Sequence, residues 1–389
     1  MQQLGQLGIV GIPVREQEQN EVSLTEVYFG ITLKIGETEQ PVAEPFNIEN
    51  LEYNITSAIY TFTKTDVATI GIVGLEEGLN PQLDQMGIFK QILGSQFLTQ
   101  VISLPSAASQ ELDEAREPFS IPTDIDTLMI VDTAENTFTP EVTDAIRSYL
   151  KTGSAIVFMN GISVDNSLQI GPGDEGLIAL MNEYGITVED NLVLSSRSEF
   201  VNLGSGEFSL FLPYPYWVWT PDVNTETNYS GGISRITFPW GSSLTLSESE
   251  KVRYLAQSSP DSWTVRGAID LNPQQEKEPT QEDIGTHILA AEADISESGS
   301  LAVIGSSRFL LNNYLSRESQ NIEFVLNILG NYASDGALSG IRSRAVTTYP
   351  LPQFTESAEQ AYKYAAILLL PLLFGAYGGL RLWKRNKTS

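Results

Sequence analysis

The sequence predicts an α/β protein: a mainly parallel sheet flanked by helices, a β-rich insertion within it, and one transmembrane helix at the C-terminus. Three observations carry this. From Val67 to about residue 199, short apolar runs alternate with amphipathic stretches at helical spacing, the pattern of a sheet with helices on both faces. From Phe200 to Ser298 the helical period is lost, and aromatic runs punctuated by Pro and Gly replace it, as in β-rich segments. Tyr364 to Leu380 is a run of 17 residues without a charge, about 25 Å of helix at roughly 1.5 Å per residue.

Residues 1–65 read as the remnant of an N-terminal domain. "EVYFGITLKIGETEQPV" alternates around Tyr28, Ile31, Leu33 and Ile35 with a turn at Gly36 and Glu37, which is a hairpin pattern. "NIENLEYNITSAIYTFTK" places Ile48, Leu51, Ile55, Ala58 and Ile59 on one helical face. These two pieces are too small to bury a core alone.

Residues 66–199 make the first part of the α/β domain. "VATIGIVGL", "LTQVISL", "DTLMIVD" and "SAIVFMN" read as buried strands, and "PQLDQMGIFKQILGSQF" as a helix. The helix between the last two strands is the best marked. Thr139 stands at the N-cap, Pro140 at the first helical position and Glu141 in the first turn, with Val142, Ile146 and Leu150 as the buried stripe and Gly153 past the end. "EGLIALMNEYGITVEDNLVL" adds a further helix and a short strand. The β-rich insertion spans 200–298. At 299–334, "GSLAVIGSSRFLLNN" and "SQNIEFVLNILGNYA" supply a last strand, a glycine turn and a last helix that rejoin the sheet.

Residues 335–361, rich in Ser, Gly and Pro, form a linker to the span at 362–383 and the basic tail at 384–389. Taking the span from Tyr362 to Trp383 brings it to the roughly 30 Å of a hydrocarbon core. Lys363 and Arg381 can snorkel to the interface that Tyr362, Tyr364 and Trp383 suit. Pro371 is tolerated in such a helix, and Gly375 with Gly379 forms a small-x-x-x-small pair that admits close helix contact. Arg381, Lys384, Arg385 and Lys387 crowd one end against Lys363 alone at the other, which puts the C-terminus in the cytoplasm and the body outside. "MQQLGQLGIVGIPVREQEQ" lacks the basic region and apolar run of a signal peptide, so either the body is cytosolic and the charge rule fails, or an exported segment is expected upstream of Met1.

All 49 acidic residues precede Tyr362, while five of the 22 basic ones follow it. The body therefore holds 17 basic against 49 acidic residues, a net −32, and the tail carries +5. A body so negative repels phosphate backbones, which excludes nucleic acid as a partner. The chain has no cysteine and one histidine, so disulfides, thiolate metal sites, cysteine nucleophiles and the histidine pair of a zinc site are excluded. His287 reads as an ordinary strand residue. No cofactor, metal or catalytic residue is expected.

Three places carry candidate chemistry, and none has a single reading. "GIVGLEEG", with Gly74, Glu76 and Glu77, follows a strand but matches neither glycine-rich phosphate motif, and its two acids repel phosphate. It is either a strand-end turn or a place for a small polar ligand or partner. With Asp132, its acids also present the carboxylates of a hydrolase. "FSLFLPYPYWVWTPD" gathers Phe208, Phe211, Tyr214, Tyr216, Trp217 and Trp219, either as insertion core or as a surface for a sugar or protein. Ser306, Ser307 and Arg308 follow the last strand, where open sheets place ligands, although the serines equally suit helix capping.

The order "VYFGITLKIGETEQPV…LEYNITSAIYTFT", "ATIGIVGLEEG", "DTLMIVDTAENTFTPEVTDAIRSYLKTGSAIVFMN", "GSLAVIGSSRFLLNN…NIEFVLNILGNYA" and a terminal span with basic residues resembles the auxiliary extracytoplasmic component of gliding-motility-type ABC transporters. The resemblance covers nearly the whole chain. It implies a glutamine amidotransferase-like domain without the catalytic cysteine and histidine, and association with an ABC permease and ATPase at the bacterial cytoplasmic membrane. The function it implies is that of a membrane-anchored, non-enzymatic subunit. Its alternatives are a membrane-tethered, carboxylate-dependent hydrolase and a free-standing carbohydrate or ligand receptor. This chain departs from its relatives at Gly74-Leu75-Glu76-Glu77, where they tend to carry a Gly-His-Gly-Glu-like turn. It also begins inside the N-terminal domain that they tend to open with a membrane span.

Overall fold

A computed structural model describes residues 11–18, 21–28, 30–35 and 38–41, the helical residues 55 and 59, and most of 67–333. Within 67–333, residues 76–83, 95, 106–117, 134–136, 166, 203–210, 228, 231–232, 268, 273–283, 297–298 and 316–318 fall outside that description. The chain divides into two compact units, Met1–Val346 and Thr347–Ser389. No helix among the described residues is long and apolar enough to cross a membrane. The span expected at 362–383, with Gly375 and Gly379, lies outside them.

The first elements are two hairpins. β1 (Gly11–Glu18) pairs antiparallel with β2 (Glu21–Tyr28), and β3 (Thr32–Ile35) with β4 (Thr38–Pro41) across a two-residue connection. The α/β body follows. Its first half contains β5 (Thr69–Val73), α1 (Gly87–Gly94), β6 (Leu98–Ile102), β7 (Thr127–Val131), α2 (Pro140–Tyr149) and β8 (Ser154–Phe158). Then come β9 (Ile162–Val164), β10 (Ile170–Pro172), α3 (Glu175–Glu183), β11 (Ile186–Val188) and β12 (Leu192–Ser195). The β-rich stretch supplies β13 (Ser198–Asn202), β14 (Phe211–Thr220), β15 (Ile236–Pro239), β16 (Leu244–Leu246), β17 (Val252–Gln257), β18 (Ser262–Val265) and β19 (Ile288–Asp294). β20 (Ser300–Ile304) and α4 (Asn321–Ala333) close it.

A nine-stranded sheet organises the body in the order β11-β16-β19-β20-β8-β7-β5-β6, with β17 also paired to β19. β6, β5, β7, β8 and β20 run parallel, and β19, β16 and β17 continue the sheet antiparallel. The α/β class and its parallel-rich central sheet are as the sequence predicts. The stretch 200–298 is shared among three places. β13, β14 and β15 form a three-stranded sheet of their own, β18 pairs with β12, and β16, β17 and β19 extend the central sheet.

β5, β7, β8 and β20 are buried on both sides because helices cover both faces, and their successive residues alternate between two cores. β6, expected as a buried strand, instead ends the sheet with only its last residue buried and Leu98 58% exposed. On one face Leu128, Ile130, Val157 and Val303 pack with Val142 and Ile146 of α2, Leu150 just past its end, and Leu177, Leu180 and Met181 of α3. On the other, Ile72, Met129, Phe158 and Ile304 pack with Phe89 and Leu93 of α1, Phe238, Phe309, and Phe324 and Ile328 of α4. Each fully buried side chain of this size contributes about 1.5–3 kcal/mol. α2 begins where Thr139 and Pro140 place it, but the Thr139 hydroxyl makes no capping bond and is buried without a partner among the described residues. α3 is capped by Asp174, whose Oδ1 accepts from the Leu177 amide at 2.9 Å.

Candidate functional site

Strand order selects the place. β5 is followed on one side by β6 and on the other by β7, so the topology switches between β5 and β7, and ligands of open sheets bind beyond the carboxyl ends of such strands. Those ends are Gly74, Asp132, Asn160 and the Gly305–Arg308 turn. Gly74 is buried with φ +90°, a conformation that favours glycine. Glu76 and Glu77 lie outside the described residues.

Asp132 is 5% exposed. Burial raises its pKa to about 7, the Asp174 carboxylate adds to the rise, and a hydrogen bond from the Asp174 backbone opposes it. Asp174 itself is committed, since its Oδ2 accepts from the Phe138 amide at 2.9 Å while Oδ1 caps α3. The loop after β7 is thereby tied to the start of α3, and Asp132 is enclosed between them.

At the next two strand ends the polar groups satisfy one another. The Asn160 side chain donates to the Trp240 carbonyl at 2.6 Å and accepts from the Ser307 amide at 2.7 Å. The Ser306 hydroxyl, fully buried, donates to the Pro239 carbonyl at 2.7 Å. Arg308 donates to the Val164 carbonyl and lies over the Tyr314 ring, 5.3 Å from its centroid. A Cβ on Gly161 would stand 1.9 Å from the Glu189 carbonyl oxygen, and one on Gly305 2.3 Å from that of Ser242. Backbone therefore fills the room that a ligand would take.

Trp240 joins this network to the aromatic cluster. Its φ of +47° is rare for a bulky side chain and costs on the order of 1–3 kcal/mol. Three hydrogen bonds hold it: its amide donates to Tyr216 O at 2.8 Å, its indole to the Tyr214 hydroxyl at 3.1 Å, and its carbonyl accepts from Asn160. Trp217 packs edge-on against Trp240 at 5.4 Å and Tyr314 at 5.6 Å, and Trp240 against Tyr314 at 5.2 Å. A register shift opposite Ser198 and Glu199 lets Tyr214 reach Trp217 from its own strand, with ring centroids at 6.0 Å. Tyr214 and Tyr216 donate to the carbonyls of Leu271 and Asp270. The Trp217 indole N–H has no partner among the described residues.

The sequence candidates thus separate. Tyr216 and Trp217 belong to one cluster with Arg308 at its border, whereas Trp219 lies apart under the Arg235 guanidinium, 4.3 Å from its ring centroid. That guanidinium is itself paired with Glu199 at 2.9 Å. Ring faces engaged by other rings and by Arg235 make a core, not a stacking platform. His287 is not a strand residue. It sits one position before β19, with a pKa lowered by burial against the opposing Ser262 carbonyl. No cluster of three or more metal-ligating side chains occurs among the described residues.

Sequence reasoning missed Asn160, Asp174 and Trp240. Asp174 had a signal, an acidic residue immediately before a helix. The other two act through tertiary contacts and left none.

The chain is similar to known proteins in three respects. It is 23% identical to an uncharacterized protein of Borreliella burgdorferi over 98% of this chain and 78% of that one. Among solved structures, it overlaps the mmIFT52 N-terminal domain with a TM-score of 0.44 and 13% identity, over 68% of this chain and 97% of the other. A ThuA-like protein from Parabacteroides merdae gives 0.34 and 10%, over 75% and 93%. Residues 68–328, which contain the whole central sheet and most of α4, match the family described as an ABC-type uncharacterized transport system, and the chain belongs to that family of ABC-transporter auxiliary components.

Proposed function

We propose that the protein is a membrane-anchored, non-enzymatic auxiliary subunit of an ABC transporter, with its body outside the cytoplasmic membrane and its C-terminal tail inside. The family match over residues 68–328 carries this reading. The apolar run at 362–383 with its basic flank supports the anchor and its orientation. The strand ends support a non-enzymatic role. Ser306, Arg308 and Asn160 are spent on backbone groups of the same chain, whereas an active nucleophile or base needs a substrate within hydrogen-bond reach. The finer reading is a gliding-motility type of transporter and an amidotransferase-like domain, for which five parallel strands with helices on both faces are the support.

The partners in this reading are a permease and an ATPase, with Gly375 and Gly379 packing on permease helices. Affinity purification of the full chain in mild detergent is expected to bring down a multispan permease and an ATPase. Isolation of the chain alone, repeated in several detergents, sinks the proposal.

A further inference from the structure

Glu292 of β19 is a fully buried carboxylate in the face of the sheet that carries α4. A buried ion persists only when hydrogen-bonded and paired, and three side chains do this from three elements. The Tyr229 hydroxyl, from the loop between β14 and β15, donates to Oε1 at 2.6 Å. The Tyr332 hydroxyl, from the last turn of α4, donates to the same oxygen. Arg253 of β17 donates to Oε2, and its other nitrogen reaches Asp294 at 2.8 Å. The Tyr229 and Tyr332 rings meet edge-on at 6.3 Å. Asn327, one and a half turns earlier on α4, donates to the Tyr229 carbonyl at 2.9 Å. Burial and the Glu292 charge hold both phenols far above their ordinary pKa, so they remain donors.

The position of Tyr332 gives the cluster its meaning. Residues Phe324 to Gly330 are buried without interruption, while Asn331, Tyr332 and Ala333 are half-buried. Apolar burial therefore fixes the body of α4 and weakens at its last turn. We propose that Glu292 is a latch: through Tyr332 it holds the last turn of α4 to the central sheet, so that displacement of the chain beyond Ala333 reaches β19 and β20 instead of being absorbed by fraying. The value of this to a transporter subunit rests on the anchored reading above, but the latch itself is a property of the body.

Hydrogen exchange on the full chain in detergent tests it. Tyr332→Phe removes one hydroxyl and keeps the ring. Amides of 330–333 are then expected to exchange at least about tenfold faster, the scale set by losing a hydrogen bond to a charged group, with β5, β7 and β8 unchanged. Tyr229→Phe removes the other donor to the same oxygen and is expected to leave 330–333 nearly as protected as in the parent. Exchange at 330–333 within twofold of the parent in Tyr332→Phe overturns the latch. So does an equal loss of protection in both variants, which marks general loosening. Failure of the transporter reading appears in the purification experiment and leaves these exchange rates untouched.

Discussion

The two faces of the central sheet are built differently. The core of the α2 and α3 face is mainly aliphatic. Its polar groups sit at the strand ends, where Asp174 accepts from the Phe138 amide beside Asp132, and its ion pair, Arg147 with Glu183, lies on the surface where such pairs contribute little. The α4 face holds just as large an apolar core but threads Asn321, Asn327, Glu292, Glu199 and Thr237 through it, each at most 8% exposed. Apolar burial is non-directional and tolerates repacking, whereas buried polar groups accept one arrangement. The first face supplies stability, and the second fixes where α4 and the β13–β15 sheet sit.

The largest effect is expected at Asn321. Its side chain donates to the carbonyls of Thr237 and Phe309 and accepts from the Thr237 amide, all at 2.8 Å, completing the free edge of β15 as another strand would. Asn321→Leu keeps the volume but strands three buried backbone groups, at about 1–3 kcal/mol each. Urea unfolding is expected to show a loss on the order of 3–5 kcal/mol; a loss under about 1 kcal/mol would mean that the two faces do not differ as described.

Asp132 tests the enclosed strand ends between the faces. Its pKa rises from 3.8 to about 7 in the folded protein. The folded state therefore binds the proton more tightly than the unfolded one, and this residue's contribution weakens as pH climbs from about 4 to about 7. Asp132→Asn is expected to remove that part of the decline and to gain on the order of 4 kcal/mol over the parent at pH 8 relative to pH 4. Parallel stability profiles for the two proteins would place Asp132 in a solvated site.

The smallest effect is expected on the aliphatic face. Ile146→Leu exchanges one fully buried side chain for another of equal volume, which costs under about 1.5 kcal/mol. A larger loss in the same urea series would show that this face, too, demands one arrangement.

The contrast also explains what could be read from the sequence. β5, β7 and β8, with α2, follow from period and punctuation, because a strand buried on both sides is a continuous apolar run and a surface helix carries one stripe. β6 is legible as a strand but not as an exposed one. The aromatic run at 211–220 shows as part of a β-rich stretch, but not that Trp217 faces Trp240 and Tyr314 while Trp219 lies under Arg235. Neighbours distant in sequence, Trp240, Tyr314 and Arg235, decide that. Nor could the β-rich stretch show that β16, β17 and β19 extend the central sheet, since strand pairing over long separations leaves no local mark. Thr139 taught the reverse: the position was legible, yet the capping bond is absent.

One consequence concerns the order of synthesis. β20 lies between β8 and β19, inside the central sheet, although it is the last of the sheet's strands to be made. At about 5–20 residues per second, β8 leaves the ribosome roughly 7–28 s before Ser300 does. Throughout that interval the open edge of "SAIVF" is an apolar template for any passing strand. Chains truncated before residue 300 are therefore expected to aggregate more readily than the full chain, because they lack the strand that covers this edge.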